Sequence, residues 1–272
     1  MYENIFDFTL ISSQGNADLN ILSFEEFLQD PIFRESSYFD VVIVGIQTNA
    51  SHKLSEFEVI NKLCEYISNY HPRLVIYFST GGLYKFGNFC VTEASVLKDI
   101  DEMDGYYMNK FLSEKALTSI DSESKLVILR PFFIFGPGQK EHFLIPRLYR
   151  KLMSNEDIEL ESRNGPKMNP IYVQDVCLTL KKLIDHLEFL EKRFILNVAG
   201  KELVSLRAII SEIRNLVGHS ESLIISKDIK DATMAASIGE FMRDPIFFRN
   251  SFRYSLKLTL TNPLIQQSGK AQ

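Results

Sequence analysis

Apolar residues along the chain follow two alternating rhythms. Short runs rich in β-branched and aromatic residues predict strands at "FDFTLIS" (6–12), "FDVVIVGI" (39–46), "RLVIYFST" (73–80), "KLVILRPFFIF" (125–135) and "FILNVA" (194–199). Three of these are nearly all apolar, as strands buried on both faces are. Between them, 55–70, 105–120 and 173–190 repeat apolar residues at three and four and predict helices. A further helix is predicted over 205–218, with Ser205 as its N-cap and Gly218 just past its end. Strands alternating with helices imply βαβ units, hence an α/β fold of Rossmann-like type: a parallel sheet with helices on both faces. The run 136–170 breaks the rhythm with Pro, Gly and charge and predicts an excursion covering one end of the sheet. From Ser226 onward the pattern predicts no element.

Composition narrows the function classes. The 272 residues are 45% hydrophobic, enough to fill a large core. A net charge of −5 with scattered basic residues does not suit a surface that neutralises phosphates, so nucleic acid is not expected as a main partner. The segment "RDPIFFRNSFRY" (243–254) mixes Arg with aromatics; under that acidic balance it reads as a folded cap segment or a dimer contact. Cys64, Cys90 and Cys177 are far apart, and the five His have no ligand spacing, so neither disulfides nor a metal site is expected. The N-terminus lacks a basic region followed by a long apolar stretch, and no apolar run has membrane-spanning length. The expectation is a cytoplasmic protein with no membrane partner.

In open parallel sheets, ligands sit beyond the carboxyl ends of the strands. "VIYFSTGGLY" stops there at Ser79 and Thr80, followed by glycines that permit a sharp turn and close approach of a ligand. The same hydroxyls also suit a simple turn cap. In "DGYYMNKFLSEKAL", Tyr106 and Lys110 stand four apart and share a helix face. A nearby ammonium favours the phenolate of a tyrosine, which brings it toward acid–base work at neutral pH. Tyr107, Phe111 and Leu112 are expected to pack, and Glu114 and Asp175 to be helix-terminal or packing residues.

With these residues in this order, the chain resembles the extended short-chain dehydrogenase/reductase family, specifically its NAD-dependent nucleotide-sugar epimerases and dehydratases. "LVIYFSTGGLYKFG" resembles the family's strand ending in a hydroxyl, and "VTEASVLKDIDEMDGYYMNKFLSEKAL" its YxxxK helix with the preceding loop. "LVILRPFFIFGPGQ", "NPIYVQDVCLTLKKLI" and "FILNVAGKELVSLRAIISEI" resemble three later segments in the family's order. The resemblance implies that Tyr106 is the general acid/base. It makes Lys110 the residue that holds the nicotinamide ribose, and Thr80 the hydroxyl that bonds the reacting sugar oxygen. Ser79 and Asp18 fall among cofactor-binding positions, and Gly81, Phe133 and Lys167, with Thr80, among substrate-binding ones. It further implies NAD or NADP as cofactor, a nucleotide-sugar substrate and a homodimer. The domains would be a dinucleotide-binding core over 1–140, completed by 171–200, and a small, mainly substrate-binding region over 141–272.

The chain also departs from that family. It has no G-x-x-G-x-x-G turn; only Gly15 and Gly45 precede Gly81. One register, supported by the match around Asp18, starts the chain after the family's first strand and helix, which makes the fold N-terminally incomplete. The other makes "FTLISSQGN" a degenerate first strand. Phe133 stands where the family has Asn, and Met168 where it often has Arg, with Lys167 as a point-charge substitute. These departures leave open a second expectation, a non-catalytic relative that binds a nucleotide or a partner protein.

Overall fold

The computed structural model describes residues 10–12, 21–23, 39–45, 56–218 and 220–261. Asp18, Gly15 and most of the 6–12 run lie outside the described residues. In chain order the elements are β1 (Leu10–Ser12), β2 (Ile21–Ser23), β3 (Val41–Val44), α1 (Glu56–Tyr70), β4 (Leu74–Phe78), α2 (Gly105–Thr118), β5 (Lys125–Pro131) and β6 (Ile134–Phe135). There follow α3 (Leu144–Met153), β7 (Ile158–Leu160), β8 (Lys167–Met168), β9 (Ile171–Tyr172), α4 (Val173–Asp185) and β10 (Arg193–Val198). The described chain ends with β11 (Val204–Ser205), α5 (Leu206–Val217), β12 (Ile224–Ser226) and α6 (Phe252–Leu260).

The central sheet has the order β10-β5-β4-β3 with every pair parallel. Strand side chains alternate between two cores, as the pleat requires. Leu74, Ile76, Val127, Leu129, Leu196 and Val198 pack with Val176 and Leu183 of α4. Val75, Tyr77, Leu126 and Ile128 pack with Ile60, Leu63 and Ile67 of α1 and Leu117 of α2. Burial on both faces is why these strands read as almost continuous apolar runs. β1 and β2 form a separate parallel pair.

The predicted strand over 125–135 is two strands. β5 stops at Pro131 because Phe133 takes a left-handed backbone (φ 48) that turns the chain, and β6 then pairs with β9. Helix α4 stops at Asp185, short of the predicted 190, and Leu187–Phe189 form a 3-10 turn. Inside the 136–170 excursion, Ile145, Leu148 and Leu152 of α3 build a second core with Ile209, Ile210 and Ile213 of α5 and Phe252, Leu256 and Leu260 of α6. Helix α6 escaped prediction because its buried apolar residues come once per turn, with Arg253, Tyr254 and Lys257 between them.

Asp175 ties α4 to the segment before α6: its Oδ1 accepts from the Phe248 amide at 3.0 Å. Burial pushes its carboxyl above the ordinary range, and the Phe248 hydrogen bond opposes that only partly. A carboxyl that keeps its proton to higher pH when folded stabilises fully below the unfolded pKa of about 3.9, and that contribution is lost as pH rises into the folded range. Asp175→Asn, which keeps an acceptor for Phe248, is therefore expected to raise the melting temperature at neutral pH and to lose the gain in acid. A pH-independent effect in parallel melts would contradict this.

Candidate active site

The site grows from the carboxyl end of β4. After Phe78 the backbone stays extended through Thr80 (φ −151, ψ 141), which caps a 3-10 turn over Gly81–Leu83. Thr80 Oγ1 accepts from the Gly82 amide at 3.1 Å. The glycines make room for rings. A Cβ on Gly81 would lie 2.4 Å from the Phe132 ring, and one on Gly82 2.3 Å from the Tyr107 ring.

Helix α2 starts where Asp104 accepts from the Tyr107 amide at 3.0 Å. Its buried residues are Lys110, Ser113, Glu114 and Leu117, so the inward face is mostly polar. This corrects the expectation that Leu112 packs; Leu112 is exposed. Tyr106, Lys110 and Glu114 follow one another at single-turn intervals along one face. Lys110 is 3% exposed, its Nζ donates to the Phe78 carbonyl at 3.1 Å, and it lies 5.1 Å from the centre of the Tyr77 ring. The helix is thereby pinned to the strand residue two before Thr80. Tyr106, at the outer end of the row, is 39% exposed and sits edge-on to Tyr107 at 5.3 Å. At Tyr107, burial, then the charge of Asp104, pushes the phenol up, and Lys98 Nζ lies 3.9 Å from the ring centre.

Behind this row lies a buried network that sequence reasoning missed. Arg130 Nε and Nη2 donate to Glu114 Oε1 and Oε2 at 3.0 and 2.6 Å, a bidentate pair with both side chains buried. Ser79, expected among the cofactor-binding residues, is buried, and its hydroxyl donates to Glu114 Oε1. The Arg130 guanidinium lies 4.9 Å from the Tyr84 ring centre, Tyr84 donates to Asn197 Oδ1 at 2.9 Å, and the Asn197 backbone N–H donates to Glu93 Oε1 at 2.9 Å. Burial works to lower the Arg130 pKa, but the hydrogen bonds and charge of Glu114 outweigh it and hold Arg130 above its ordinary value. Burial raises the Tyr84 phenol despite the opposing charge of Arg130. One signal was available: a lone Arg in an otherwise apolar buried strand requires a buried partner.

The expected substrate-side residues lie farther along. Phe133 is half-buried between two apolar clusters, in a backbone region that Asn adopts more readily than Phe does. On β8, Lys167 is exposed while Met168 is buried in the second core, so only Lys167 faces outward. A cavity of about 420 Å³ opens beside Tyr172, Asp175 and Phe248, and none of Thr80, Tyr106 or Lys110 lines it. Among the described residues, no group of three or more His, Cys, Asp or Glu is placed to hold a metal ion. No helix among them is long and apolar enough to cross a membrane.

The sequence profile of the NAD dependent epimerase/dehydratase family matches residues 45–199. No curated protein sequence gives a significant match. Among solved structures, the chain is similar to UDP-glucuronic acid 4-epimerase from Bacillus cereus in complex with NAD. The TM-score is 0.73 at 19% identity, over 94% of this chain and 83% of that one. It is similar to MoeE5 in complex with UDP-glucose and NAD, with TM-score 0.71 and 15% identity over 95% and 89%. It is also similar to UDP-glucose 4-epimerase with UDP-glucose from Thermotoga maritima, with TM-score 0.70 and 16% identity over 93% and 90%. These likenesses establish the Rossmann-like fold.

Proposed function

Because the chain belongs to the NAD dependent epimerase/dehydratase family, we propose that it is an NAD(P)-dependent nucleotide-sugar epimerase, dehydratase or reductase with Tyr106 as its general acid/base. The observation that carries this reading is the row Tyr106–Lys110, with a buried ammonium anchored to the strand end that also presents Thr80. The solved relatives named above were captured with NAD or UDP-sugars, which supports that cofactor and substrate class for this chain.

The described residues fit the nicotinamide end of such a cofactor. A buried cation stands at the carboxyl edge of a parallel sheet, where the fold places its ligands, and an accessible phenol lies one turn from it. When bound, the nicotinamide accepts or returns a hydride at a sugar carbon. The chain's own residues do the rest. Lys110 would hold the ribose and, by its charge, favour the Tyr106 phenolate, so that Tyr106 takes the proton from the reacting sugar hydroxyl. Thr80 would orient that hydroxyl by a hydrogen bond.

A second reading, a non-catalytic relative that binds a nucleotide or a partner protein, draws on the absence of any G-x-x-G-x-x-G cluster among the 13 glycines. Calorimetric titration with NAD, NADP and UDP-sugars separates the two. The enzyme reading expects dinucleotide binding that weakens when Lys110 is replaced by Met. If neither dinucleotide binds the folded protein, the second reading replaces the first.

A further inference from the structure

The turn that Thr80 caps is held from its far side by a second stretch of chain. Tyr84 and Leu97 form an antiparallel bridge, and the Lys98 backbone N–H donates to the Leu83 carbonyl at 2.8 Å. Neighbouring side chains on such an extended stretch point to opposite sides. Asp99 goes one way, where its carboxylate and that of Glu102 pair with Lys85 at 3.0 and 3.3 Å. Lys98 goes the other. Its ammonium lies 3.9 Å from the centre of the Tyr107 ring, and that ring packs on Gly82 with its centre 5.3 Å from that of Tyr106. Lys98 is half-buried, and among the described residues it enters no ion pair. Asp104, the acid whose charge reaches Tyr107, is engaged as the cap of α2.

We infer that Lys98 reads a negative charge on the reacting sugar itself, so that the substrate is a nucleotide sugar whose sugar ring carries a carboxylate, a uronic acid. The inference rests on the proposed role of Tyr106 and deepens it by naming the substrate class. In a nucleotide sugar the diphosphate hangs from the anomeric carbon, whereas the hydroxyl that gives Tyr106 its proton lies elsewhere on the ring. A charge met beside Tyr106 and Thr80 therefore belongs to the sugar. One ammonium matches one carboxylate, and the charge-assisted hydrogen bond between them is stronger than one to a neutral hydroxyl. The Tyr107 ring holds the ammonium by its face without supplying a counter-charge. Glu93, Asp99, Asp101, Glu102 and Asp104 make 91–104 acidic, with Lys98 as its cation. Without Lys98, an anionic sugar would meet only like charge from this stretch.

The test is equilibrium binding of UDP-glucuronic acid and UDP-glucose to the full chain with NAD supplied, since the two ligands differ only at the carbon that bears the carboxylate. The wild type is expected to prefer UDP-glucuronic acid. Lys98→Met should weaken that ligand by about tenfold or more and UDP-glucose far less, while Lys98→Arg, which keeps the charge, should keep the preference. The thioether of Met can still lie against the Tyr107 ring, so the fold should hold, and thermal melts of each variant check that it does. Equal weakening of both ligands would assign Lys98 to the diphosphate or to the fold, and it overturns the inference, as does a wild type without preference. If neither ligand binds, the inference falls together with the nucleotide-sugar reading. Binding needs no turnover, so a Lys98-dependent preference in a protein that converts neither ligand would refute the enzyme reading and leave this one standing.

Discussion

Tyr106→Phe is expected to lower kcat by roughly 10²–10⁴, the range that a positioned general acid or base supplies, with no loss of melting temperature. The factor corresponds to about 3–5 kcal/mol of barrier. The fold should tolerate the change because the hydroxyl belongs to a side chain that is 39% exposed, and Phe keeps the ring packed edge-on to Tyr107. Tyr107→Phe is the paired control. Its ring lies against Gly82 and beneath Lys98, and its phenol is held away from neutral-pH ionisation, so that variant should turn over within a few-fold of wild type. The measurement is turnover of a UDP-sugar with NAD supplied, alongside a thermal melt. Wild-type turnover by Tyr106→Phe would remove Tyr106 from the reaction; loss in both variants would point to the helix start as a unit.

The sheet was legible because β4, β5 and β10 are buried on both faces, a condition that writes itself as runs such as "RLVIYFST". Helix starts were legible where a cap is local, as at Ser205 and its bond from the Ala208 amide. The placement of Thr80 just past a strand end, and of Tyr106 and Lys110 on one helix face, was legible because these spacings are local too. The Arg130–Glu114 pair was not. Periodicity assigns apolar residues inward, and so it placed Leu112 inside and left Glu114 as a helix-terminal or packing residue. A carboxylate turns inward only when a distant segment brings it a cation, and Arg130 comes from the next strand. The bend at Phe133 was hidden for a related reason. "RPFFIF" has the composition of one continuous strand, and the left-handed backbone that breaks it is unusual for a bulky ring.

Arg130→Ala is expected to lower the unfolding free energy by about 3–5 kcal/mol, because it strands a buried carboxylate among side chains that cannot replace the two hydrogen bonds it loses. For a chain of this size the melting temperature should fall on the order of 10 °C. The loss measures an unpaired charge, not what the pair itself contributes, and the double variant Glu114→Leu/Arg130→Met shows the difference. Removing both charges leaves no buried ion, so most of the stability should return, short of the bond that Ser79 forfeits and the contact of the guanidinium with the Tyr84 ring. Urea denaturation of the three proteins checks both statements. If Arg130→Ala melts within about 1 kcal/mol of wild type, water reaches Glu114 and the pair behaves as a surface one. If the double variant regains stability but loses turnover, the ion pair is retained for what it does to the strand end at Ser79, since an apolar pair would hold the fold equally well.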